Sequence, residues 1–277
     1  MLRTIPFLFL ILITMISKNA FSDTIKKYIR YKHSDTISYG ILEGDTIYQL
    51  KGNVFNSPHR TGKKVLVKQV EVLPPTDPKK VIAVGYNYKS HIDDLPMPKE
   101  PVLFTKLPTS LIGHGGHIQY FADARNLHFE GEMVLVIGKT ATKVSVDEAP
   151  DYIFAVTPGN DVSERNWQDN DVQWFRGKAS DTFGPVGPVM VSGVNYDNLQ
   201  LRTRVNGKTK QSQRTKDMIF SSAEIVSYIS QYVTLEPGDL VFTGTPGKTG
   251  AIQPGDVVEV DLEKVGLLRN TVSQKEN

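Results

Sequence analysis

The stretch that decides the fold reads His128-Phe129-Glu130-Gly131-Glu132-Met133-Val134-Leu135-Val136-Ile137-Gly138. Its apolar half predicts a buried strand, and two acids stand one residue apart where that strand begins. Because successive side chains of a strand point to opposite faces, Glu130 and Glu132 are expected to share one face. Buried like charges repel each other unless a cation or a proton lies between them. A metal site is therefore the first hypothesis, and two ordinary surface acids at a solvated strand end are the alternative.

A third carboxylate follows the next predicted strand. Asp161 lies in Thr157-Pro158-Gly159-Asn160-Asp161-Val162-Ser163, directly after the apolar run 152–157. Three carboxylates without cysteine or an adjacent histidine favour the hard cations Mg²⁺ or Mn²⁺, with Ca²⁺ as an alternative and Zn²⁺ disfavoured. Such a site leaves coordination positions that water or a chelating substrate can fill.

Two lysines and one histidine are candidates for the chemistry around that site. Lys178 lies in a segment rich in glycine, proline and small polar residues, and Lys106 ends a predicted strand. Either ammonium group is expected to hold a substrate carboxylate or a developing oxyanion. His91 precedes Asp94 by three residues, and on a helical turn this acid can orient the imidazole so that its other nitrogen activates water. Solvated surface charges are the alternative for each of these residues.

Short apolar runs punctuated by glycine and proline predict a strand-dominated chain. From residue 80 onward these runs are 80–84, 102–105, 133–138, 152–157, 186–191, 201–205, 239–242 and 256–261. One helix is predicted after the capping box Ser221-Ser222-Ala223-Glu224, with Ile225, Val226, Ile229 and Val233 along one face. A shorter helix is predicted over 164–168. The expected class is α+β with few helices rather than a doubly wound α/β sheet.

Four segments are predicted along the chain. Residues 1–22 combine a positive Arg3, an apolar run and small residues before the end of the segment, which is the pattern of a signal peptide. Residues 23–73 are expected to form a small β-rich N-terminal domain that includes a hairpin. Residues 74–79 are a proline-rich linker, and residues 80–277 would be the metal-dependent catalytic domain.

The N-terminal pattern predicts export, to the periplasm in the simplest reading, and a cytoplasmic protein if the segment is not processed. Its apolar run is shorter than the roughly 20 residues that a membrane-spanning helix needs. No membrane association is therefore expected after cleavage.

Composition excludes several classes of function. The 277 residues contain no cysteine, which excludes disulfides, thiolate nucleophiles and zinc–thiolate sites. The formal net charge is +2, and it falls to zero when the two cations in 1–22 are left out. The sequence also has no cluster of basic residues mixed with aromatic ones. No nucleic-acid partner is therefore expected. The segment 243–249 resembles a phosphate-binding loop, but Phe242 stands where that motif requires its first glycine.

Six segments occur in an order that is typical of one superfamily. They are Gly85-x-Asn87-Tyr88-x-x-His91, the run 127–138, Asn160-Asp161-Val162-Ser163-x-Arg165, Gly177-Lys178-x-x-Asp181-Thr182-Phe183, Met218-Ile219-Phe220-Ser221 and Leu240-Val241-Phe242-Thr243-Gly244-Thr245-Pro246. Together they resemble the fumarylacetoacetate hydrolase superfamily, in its branch of acylpyruvate hydrolases and 2-hydroxyhepta-2,4-diene-1,7-dioate isomerases. The resemblance covers about 81–272, and the lead-in domain is similar to the N-terminal domain of some members. It implies a mixed β-roll of packed sheets and a homodimer.

The resemblance also implies roles for the residues already singled out. Glu130, Glu132 and Asp161 match the ligands of a Mg²⁺ or Mn²⁺ ion. Lys178 matches an active-site lysine near the substrate oxygens, and His91 matches a histidine on a lid that closes over the site.

Further positions match residues that contact substrate or assist the lid histidine. Members that hydrolyse acylpyruvates carry a glutamate three residues after that histidine, and here the position is Asp94, one methylene shorter. Gln211 and Thr245 match positions that contact substrate. Tyr86 stands where some acylpyruvate hydrolases have an arginine.

The expected function is hydrolysis of a C–C bond in an acylpyruvate-like 2,4-dioxo acid, through an enolate that the cation stabilises. In this reaction His91 with Asp94 activates water, and Lys178 stabilises the oxyanion. An isomerase or tautomerase, or a decarboxylase of a 2-oxo acid, would use the same enolate and remains an alternative. A periplasmic protein that binds a small acid without turnover is a further alternative from a different class.

Overall fold

The computed structural model describes residues 24–92 and 94–274. The predicted signal peptide, 1–22, lies outside the described residues. Strand accounts for 44% and helix for 17%, which confirms the predicted strand-dominated α+β class. Within the described ranges, no helix has both the length and the apolar character that a membrane crossing requires.

Twenty strands follow one another along the described chain. They are β1 (Lys26–His33), β2 (Thr36–Glu43), β3 (Thr46–Lys51), β4 (His59–Leu66), β5 (Glu71–Val72), β6 (Val81–Gly85), β7 (Val102–Lys106), β8 (Leu111–Ile112), β9 (His117–Tyr120), β10 (Leu127–His128), β11 (Gly131–Ile137), β12 (Ile153–Asn160), β13 (Ser163–Glu164), β14 (Gly184–Pro185), β15 (Met190–Ser192), β16 (Gln200–Val205), β17 (Lys208–Arg214), β18 (Leu240–Phe242), β19 (Val257–Leu262) and β20 (Gly266–Gln274).

The helices are few and short. The α-helices are α1 (Lys89–Ile92), α2 (Arg165–Asn170), α3 (Phe175–Ala179) and α4 (Ser222–Tyr232), and 3-10 turns occupy Val67–Gln69, Pro108–Ser110, Ala149–Tyr152, Tyr196–Asn198 and Thr215–Asp217. The predicted capping box of α4 is present, because the Ser221 hydroxyl accepts from the Glu224 amide and the Glu224 carboxylate accepts from the Ser221 amide.

One large mixed sheet and one smaller sheet form the body of the protein. The large sheet has the order β4-β3-β2-β1-β15-β12-β11-β18-β6-β7, with β5 paired to β1, and the smaller one has the order β17-β16-β19-β20-β9. β11 runs antiparallel to both of its neighbours, while β18 and β6 pair in parallel. Two further pairs, β10 with β13 and β14 with β8, complete the mixed arrangement.

The N-terminal strands extend the large sheet. β1 pairs antiparallel with β15, where Tyr28 lies opposite Met190. The strands predicted for the lead-in domain and those predicted for the catalytic domain therefore share hydrogen bonds. The division of the chain at 74–79 and its export stay predictions.

β11 lies inside the large sheet, and all of its residues are buried. Met133, Leu135 and Ile137 belong to one apolar cluster, which also includes residues of α4 and the smaller sheet. Val134 and Val136, on the opposite face of the strand, belong to a second cluster. Because both faces of the strand are covered, its sequence is a continuous apolar run rather than an alternating one. The two-residue period places the acids on the same side of the strand as Val134.

The glycine between the two acids is required by packing. A Cβ atom at Gly131 would lie 1.9 Å from Thr203 Oγ1 on β16 and 3.3 Å from Gln211 Oε1 on β17. A side chain at this position would push the smaller sheet away from the acid pair. The acid-glycine-acid pattern therefore marks a place where the two sheets pack in close contact.

Some elements were not expected from the sequence. β17 has the sequence KTKQSQR and is mostly exposed, because it is an edge strand that pairs only with β16. Such a strand lacks the alternation of buried and exposed residues on which a sequence-based prediction depends. The short helix α3 was also missed, since it contains Gly177, whose missing side chain lets α3 pack against the backbone of Gln168 on α2.

Candidate metal centre and active site

Three carboxylates converge at one end of the β11–β12 pair. Glu130 directly precedes β11, Glu132 lies within it, and Asp161 directly follows β12. Because these strands are antiparallel, with Gly131 opposite Asn160, the start of one strand meets the end of the other. One oxygen from each of the three carboxylates lies within 4.8 Å of the other two, and all three residues are buried.

Backbone contacts hold the acids in place. The Asp161 amide donates to the Glu130 carbonyl at 2.8 Å, and the Asn160 side chain accepts from the Glu130 amide at 2.8 Å. The carboxylate of Glu132 accepts a hydrogen bond from the Gly244 amide at 2.8 Å, in the loop after β18. Three separate segments of the chain therefore fix the positions of the acids.

Glu132 is the acid that lacks a cationic partner. Among the ion pairs of the described residues, none includes Glu132. Burial raises the pKa of this carboxyl well above its usual value, and the neighbouring charges of Asp161 and Glu130 raise it further. A divalent cation between the three oxygens would offset both effects, so the residues fit a metal ion of the kind that prefers oxygen ligands.

Lys178, on α3, bridges the other two acids. Its Nζ atom donates to Glu130 Oε2 and to Asp161 Oδ2, each at 2.7 Å, and its side chain is 4% exposed. Burial alone would lower the pKa of this lysine, but the charges of Asp161 and Glu130 outweigh burial and raise it. Lys178 is therefore a fixed, protonated donor beside the candidate metal site.

Lys106, at the end of β7, is completely enclosed. Its Nζ atom donates to Asp161 Oδ1 at 2.5 Å and also to the carbonyl oxygen of Lys178. Burial lowers the pKa of Lys106, although Asp161 opposes that effect. The ammonium group of Lys106 thus contacts Asp161 and the backbone of α3, and the substrate contact predicted for this residue stays a prediction.

Arg165, at the start of α2, is a further cation of the site. Its guanidinium donates to Glu130 Oε1, to Thr249 Oγ1 at 3.0 Å and to Gln168 Oε1 at 2.7 Å. Burial would raise the pKa of Glu130, but Lys178 and Arg165 outweigh it and hold that pKa below its usual value. No role was predicted for Arg165 from the sequence, where its place in the segment 160–165 was the one signal for it.

His91, on α1, lies above the carboxylates with a defined ring orientation. Its Nδ1 atom is 2.7 Å from the carbonyl oxygen of Gly247. Because a carbonyl only accepts, Nδ1 carries a proton, and in the neutral ring Nε2 is left as the basic nitrogen. Nε2 lies 4.0 Å from Glu130 Oε1. Ser90 adds a second tie to the same loop, since its hydroxyl accepts from the Gly247 amide at 2.9 Å.

The predicted pairing of His91 with Asp94 is not formed in this geometry. Asp94 is exposed, and within residues 24–92 and 94–274 no hydrogen bond or ion pair joins it to His91. The carbonyl of Gly247 takes the position that an acid would otherwise occupy on Nδ1. The functional role predicted for Asp94 stays a prediction.

A cavity of about 190 Å³ opens onto the site. It is lined by Val84, Gly85, Tyr86, His91, Phe104, Glu130, Glu132, Asp161, Arg165, Gln168, Asp169, Trp174, Lys178 and Thr245. The predicted residues Tyr86 and Thr245 are thus in its wall. Gln211 stands behind the wall, where its Nε2 atom donates to Thr245 Oγ1 at 2.8 Å and to the Pro246 carbonyl at 2.6 Å.

Two family models match the chain. The model described as fumarylacetoacetate (FAA) hydrolase C-terminal matches residues 80–273. The model described as Rv2993c-like, N-terminal, matches residues 26–75. The first of these covers well over half of the chain and includes every residue of the site.

Individual proteins of known name are similar over most of their length. The crystal structure of 2-hydroxyhepta-2,4-diene-1,7-dioate isomerase from Mycobacterium marinum superposes with a TM-score of 0.86 at 39% identity, covering 91% of this chain and 100% of that one. The mitochondrial oxaloacetate tautomerase fahd2 of Xenopus laevis is 37% identical over 72% of this chain and 67% of its own. Fumarylpyruvate hydrolase from Pseudomonas aeruginosa, in complex with Mn²⁺ and pyruvate, superposes with a TM-score of 0.68 at 28% identity, covering 74% and 92%.

Proposed function

The chain belongs to the fumarylacetoacetate hydrolase family, and we propose that it is a divalent-metal-dependent tautomerase or isomerase of a small 2-oxo acid. The observation that carries this choice is the orientation of His91. Its Nδ1 proton is held by the Gly247 carbonyl, so that Nε2 is a single base at the cavity. Moving a proton within the substrate requires only a base, whereas family members that hydrolyse acylpyruvates also carry a glutamate three residues after this histidine that assists it. Asp94 is exposed and gives no such assistance in this geometry.

Glu130, Glu132 and Asp161 would hold the metal ion, with Mg²⁺ or Mn²⁺ favoured by an all-oxygen ligand set. When bound, the ion polarises the carboxylate and 2-oxo oxygens of the substrate and stabilises negative charge that develops there. The crystal structure of fumarylpyruvate hydrolase with Mn²⁺ and pyruvate supports this assignment by similarity.

Three residues of the protein have separate roles in the proposed proton transfer. His91 Nε2 takes a proton from the carbon next to the 2-oxo group. In a tautomerisation the proton ends on the 2-oxo oxygen, and in an isomerisation it ends on the carbon at the far end of the shifted double bond. Lys178 stays protonated, because Asp161 and Glu130 raise its pKa, and donates a hydrogen bond to the oxygen on which charge builds up. Arg165 keeps Glu130 ionised, and the closed loop at Gly247 keeps the imidazole in the required orientation.

Metal binding predicts a measurable gain in stability. At a Mn²⁺ concentration about 100 times the dissociation constant, the free energy of unfolding should rise by about 2.7 kcal/mol, or roughly 5–10 °C in melting temperature for a chain of this size. Differential scanning fluorimetry with Mn²⁺, and then with excess chelator, measures this shift. A matched addition of KCl is the control for ionic strength. An unchanged melting temperature with Mn²⁺, Mg²⁺ and Ca²⁺ alike would contradict the metal site.

The proposed reaction is tested by product analysis in D₂O. With oxaloacetate or another 2-oxo acid, the enzyme and Mn²⁺ should exchange the hydrogens on C3 for deuterium while the carbon chain stays intact, and chelator should stop the exchange. Nuclear magnetic resonance follows both properties together. Release of pyruvate from an acylpyruvate without faster C3 exchange would favour hydrolysis instead. Tight binding of these acids without either reaction would favour the binding protein.

Replacing His91 with glutamine should lower the rate of C3 exchange by about 100-fold, the lower end of the range for loss of a general base. Metal affinity should stay the same, since the imidazole is not among the candidate ligands. The exposed His33, changed to glutamine, is the matched control. Full exchange activity in H91Q would show that the base is another residue.

Hydrolysis of an acylpyruvate-like acid, the reaction that the sequence favoured, is the second candidate. Similarity to fumarylpyruvate hydrolase supports it. It requires a water molecule near His91 Nε2 and a substrate with a second carbonyl group. Family members act on small molecules and are commonly oligomeric, and a homodimer is accordingly proposed for this chain.

A further inference from the structure

Two bulky residues in the cavity wall have a left-handed backbone. Tyr86 has φ of +59° and Trp174 has φ of +56°. Side chains of this size rarely adopt such values, whereas glycine adopts them freely. Strained residues persist only where the surroundings hold them, and they are frequent at ligand sites. An aromatic side chain at each position must therefore contribute something that glycine would not.

Both residues are joined to functional segments of the site. Tyr86 directly follows β6, and Trp174 caps α3, where its carbonyl accepts from the Lys178 amide at 2.9 Å. The ring centroids of Tyr86 and Trp174 are 6.1 Å apart in an edge-to-face arrangement, and those of Phe104 and Trp174 are 5.6 Å apart. The Nζ atom of Lys178 lies 4.9 Å from the centroid of Phe104. The rings of Tyr86, Trp174 and Phe104 are called the aromatic wall below. They form a chain of contacts that ends at Lys178.

The aromatic wall limits the space beside the carboxylates. It lines the same cavity as Glu130, Glu132 and Asp161. The volume of this cavity is about 190 Å³. It is smaller than the roughly 300–1,000 Å³ of pockets that hold drug-sized ligands. A ligand held at the carboxylates by its 2-oxo acid end has to fit its remaining carbons within the aromatic wall.

We propose that Trp174, supported by Tyr86, determines the length of the substrate, so that five-carbon 2-oxo acids bind more tightly than seven-carbon ones. This inference rests on the proposed function, because it takes the 2-oxo acid end to lie at the carboxylates. The left-handed backbone of Trp174 fixes where its indole lines the cavity, and Phe104 contacts both this indole and Lys178. Longer tails collide with the indole rather than pass it.

The test measures binding of 2-oxo acids of increasing length without turnover. Calorimetry with the Mn²⁺-loaded protein compares pyruvate, 2-oxoglutarate and the seven-carbon acid 2-oxoheptanedioate. In the wild type, affinity should fall at least about tenfold between the five-carbon and seven-carbon acids, a difference within the range for methylene groups that a pocket excludes. In Trp174→Gly, which removes the ring and suits the positive φ, the two affinities should agree within about threefold. The matched control is Phe175→Ala, which removes an exposed ring on the same helix that does not line the cavity.

Tyr86→Gly opens the aromatic wall from its other side and serves if Trp174→Gly does not fold. Equal affinity of the wild type for the five-carbon and seven-carbon acids overturns the inference. So does a length dependence that survives in the folded variants. If pyruvate binds but the affinities of the longer acids do not depend on their length, only this inference is overturned. If no 2-oxo acid binds, the proposed function is overturned as well.

Discussion

Replacing Glu132 with glutamine is expected to abolish metal binding while making the metal-free protein more stable. Glutamine keeps the shape of the side chain and an oxygen that accepts from the Gly244 amide. It removes a buried charge that faces Asp161 and Glu130 without a cationic partner. Loss of one ligand and of the charge stabilisation that depends on it should lower turnover by about 1,000-fold, equivalent to roughly 4 kcal/mol of activation free energy.

The sign of the stability change follows from the raised pKa of Glu132. A carboxyl group whose pKa is higher in the folded chain favours folding when protonated, and that stability is lost as pH rises through the folded pKa. Glutamine does not titrate. In chelator at neutral pH, E132Q should therefore have a higher melting temperature than the wild type. As the pH rises through the folded pKa of Glu132, E132Q should also lose less stability than the wild type.

Thermal melts of E132Q with and without Mn²⁺, and calorimetric titration with Mn²⁺, measure both effects. Glu71→Gln, at an exposed acid on β5, is the matched control. Retained Mn²⁺ affinity in E132Q, or a lower melting temperature in chelator, would contradict the site as described.

Replacing Lys178 with methionine is expected to have the opposite effect on stability. The substitution keeps most of the side-chain volume but leaves Glu130 and Asp161 without the ammonium group that lies 2.7 Å from each. Removing one partner of a buried ion pair costs about 3–5 kcal/mol, which corresponds to roughly 6–20 °C in melting temperature. Loss of the donor to the developing oxyanion should lower kcat by about 100–1,000-fold.

Metal addition separates these two roles of Lys178. Because a nearby positive charge is removed, K178M should bind Mn²⁺ at least as tightly as the wild type and should regain more melting temperature when Mn²⁺ is added. Turnover should stay low in the metal-loaded variant. The exposed Lys139, changed to methionine, is the control. Wild-type kcat in the metal-loaded K178M would remove Lys178 from the chemistry.

Local patterns were sufficient to predict the central elements of this fold and site. The apolar run after Glu132 has no charged residue until it ends, and it forms the buried strand β11. Ser221 and Glu224 satisfy each other's backbone amides within one turn, so α4 begins where its sequence indicates. The two-residue period of a strand was enough to place Glu130 and Glu132 together, and the end of the next strand supplied Asp161.

The remaining features depend on contacts between distant segments, which a local pattern does not contain. No local pattern indicated that Lys106, at the end of β7, would contact Asp161 and the carbonyl of Lys178. The loop 243–249 resembled a phosphate-binding loop only in composition, and its amide at Gly244 proves to hold Glu132. The left-handed backbone of Trp174 has no signature in sequence, because tertiary packing rather than residue preference maintains it.

The hydrogen bond from Gly244 to Glu132 also bears on when the site forms during synthesis. The two residues are separated by 112 positions, and His91 is separated from Gly247 by 156. A ribosome-bound chain that ends near residue 200 already contains all three acids, yet it lacks the strand β18 and the loop that complete their surroundings. Contacts of such long sequence separation are typical of slow folding. The surroundings of the acids and of His91 therefore cannot be completed until the chain has been translated as far as Gly247.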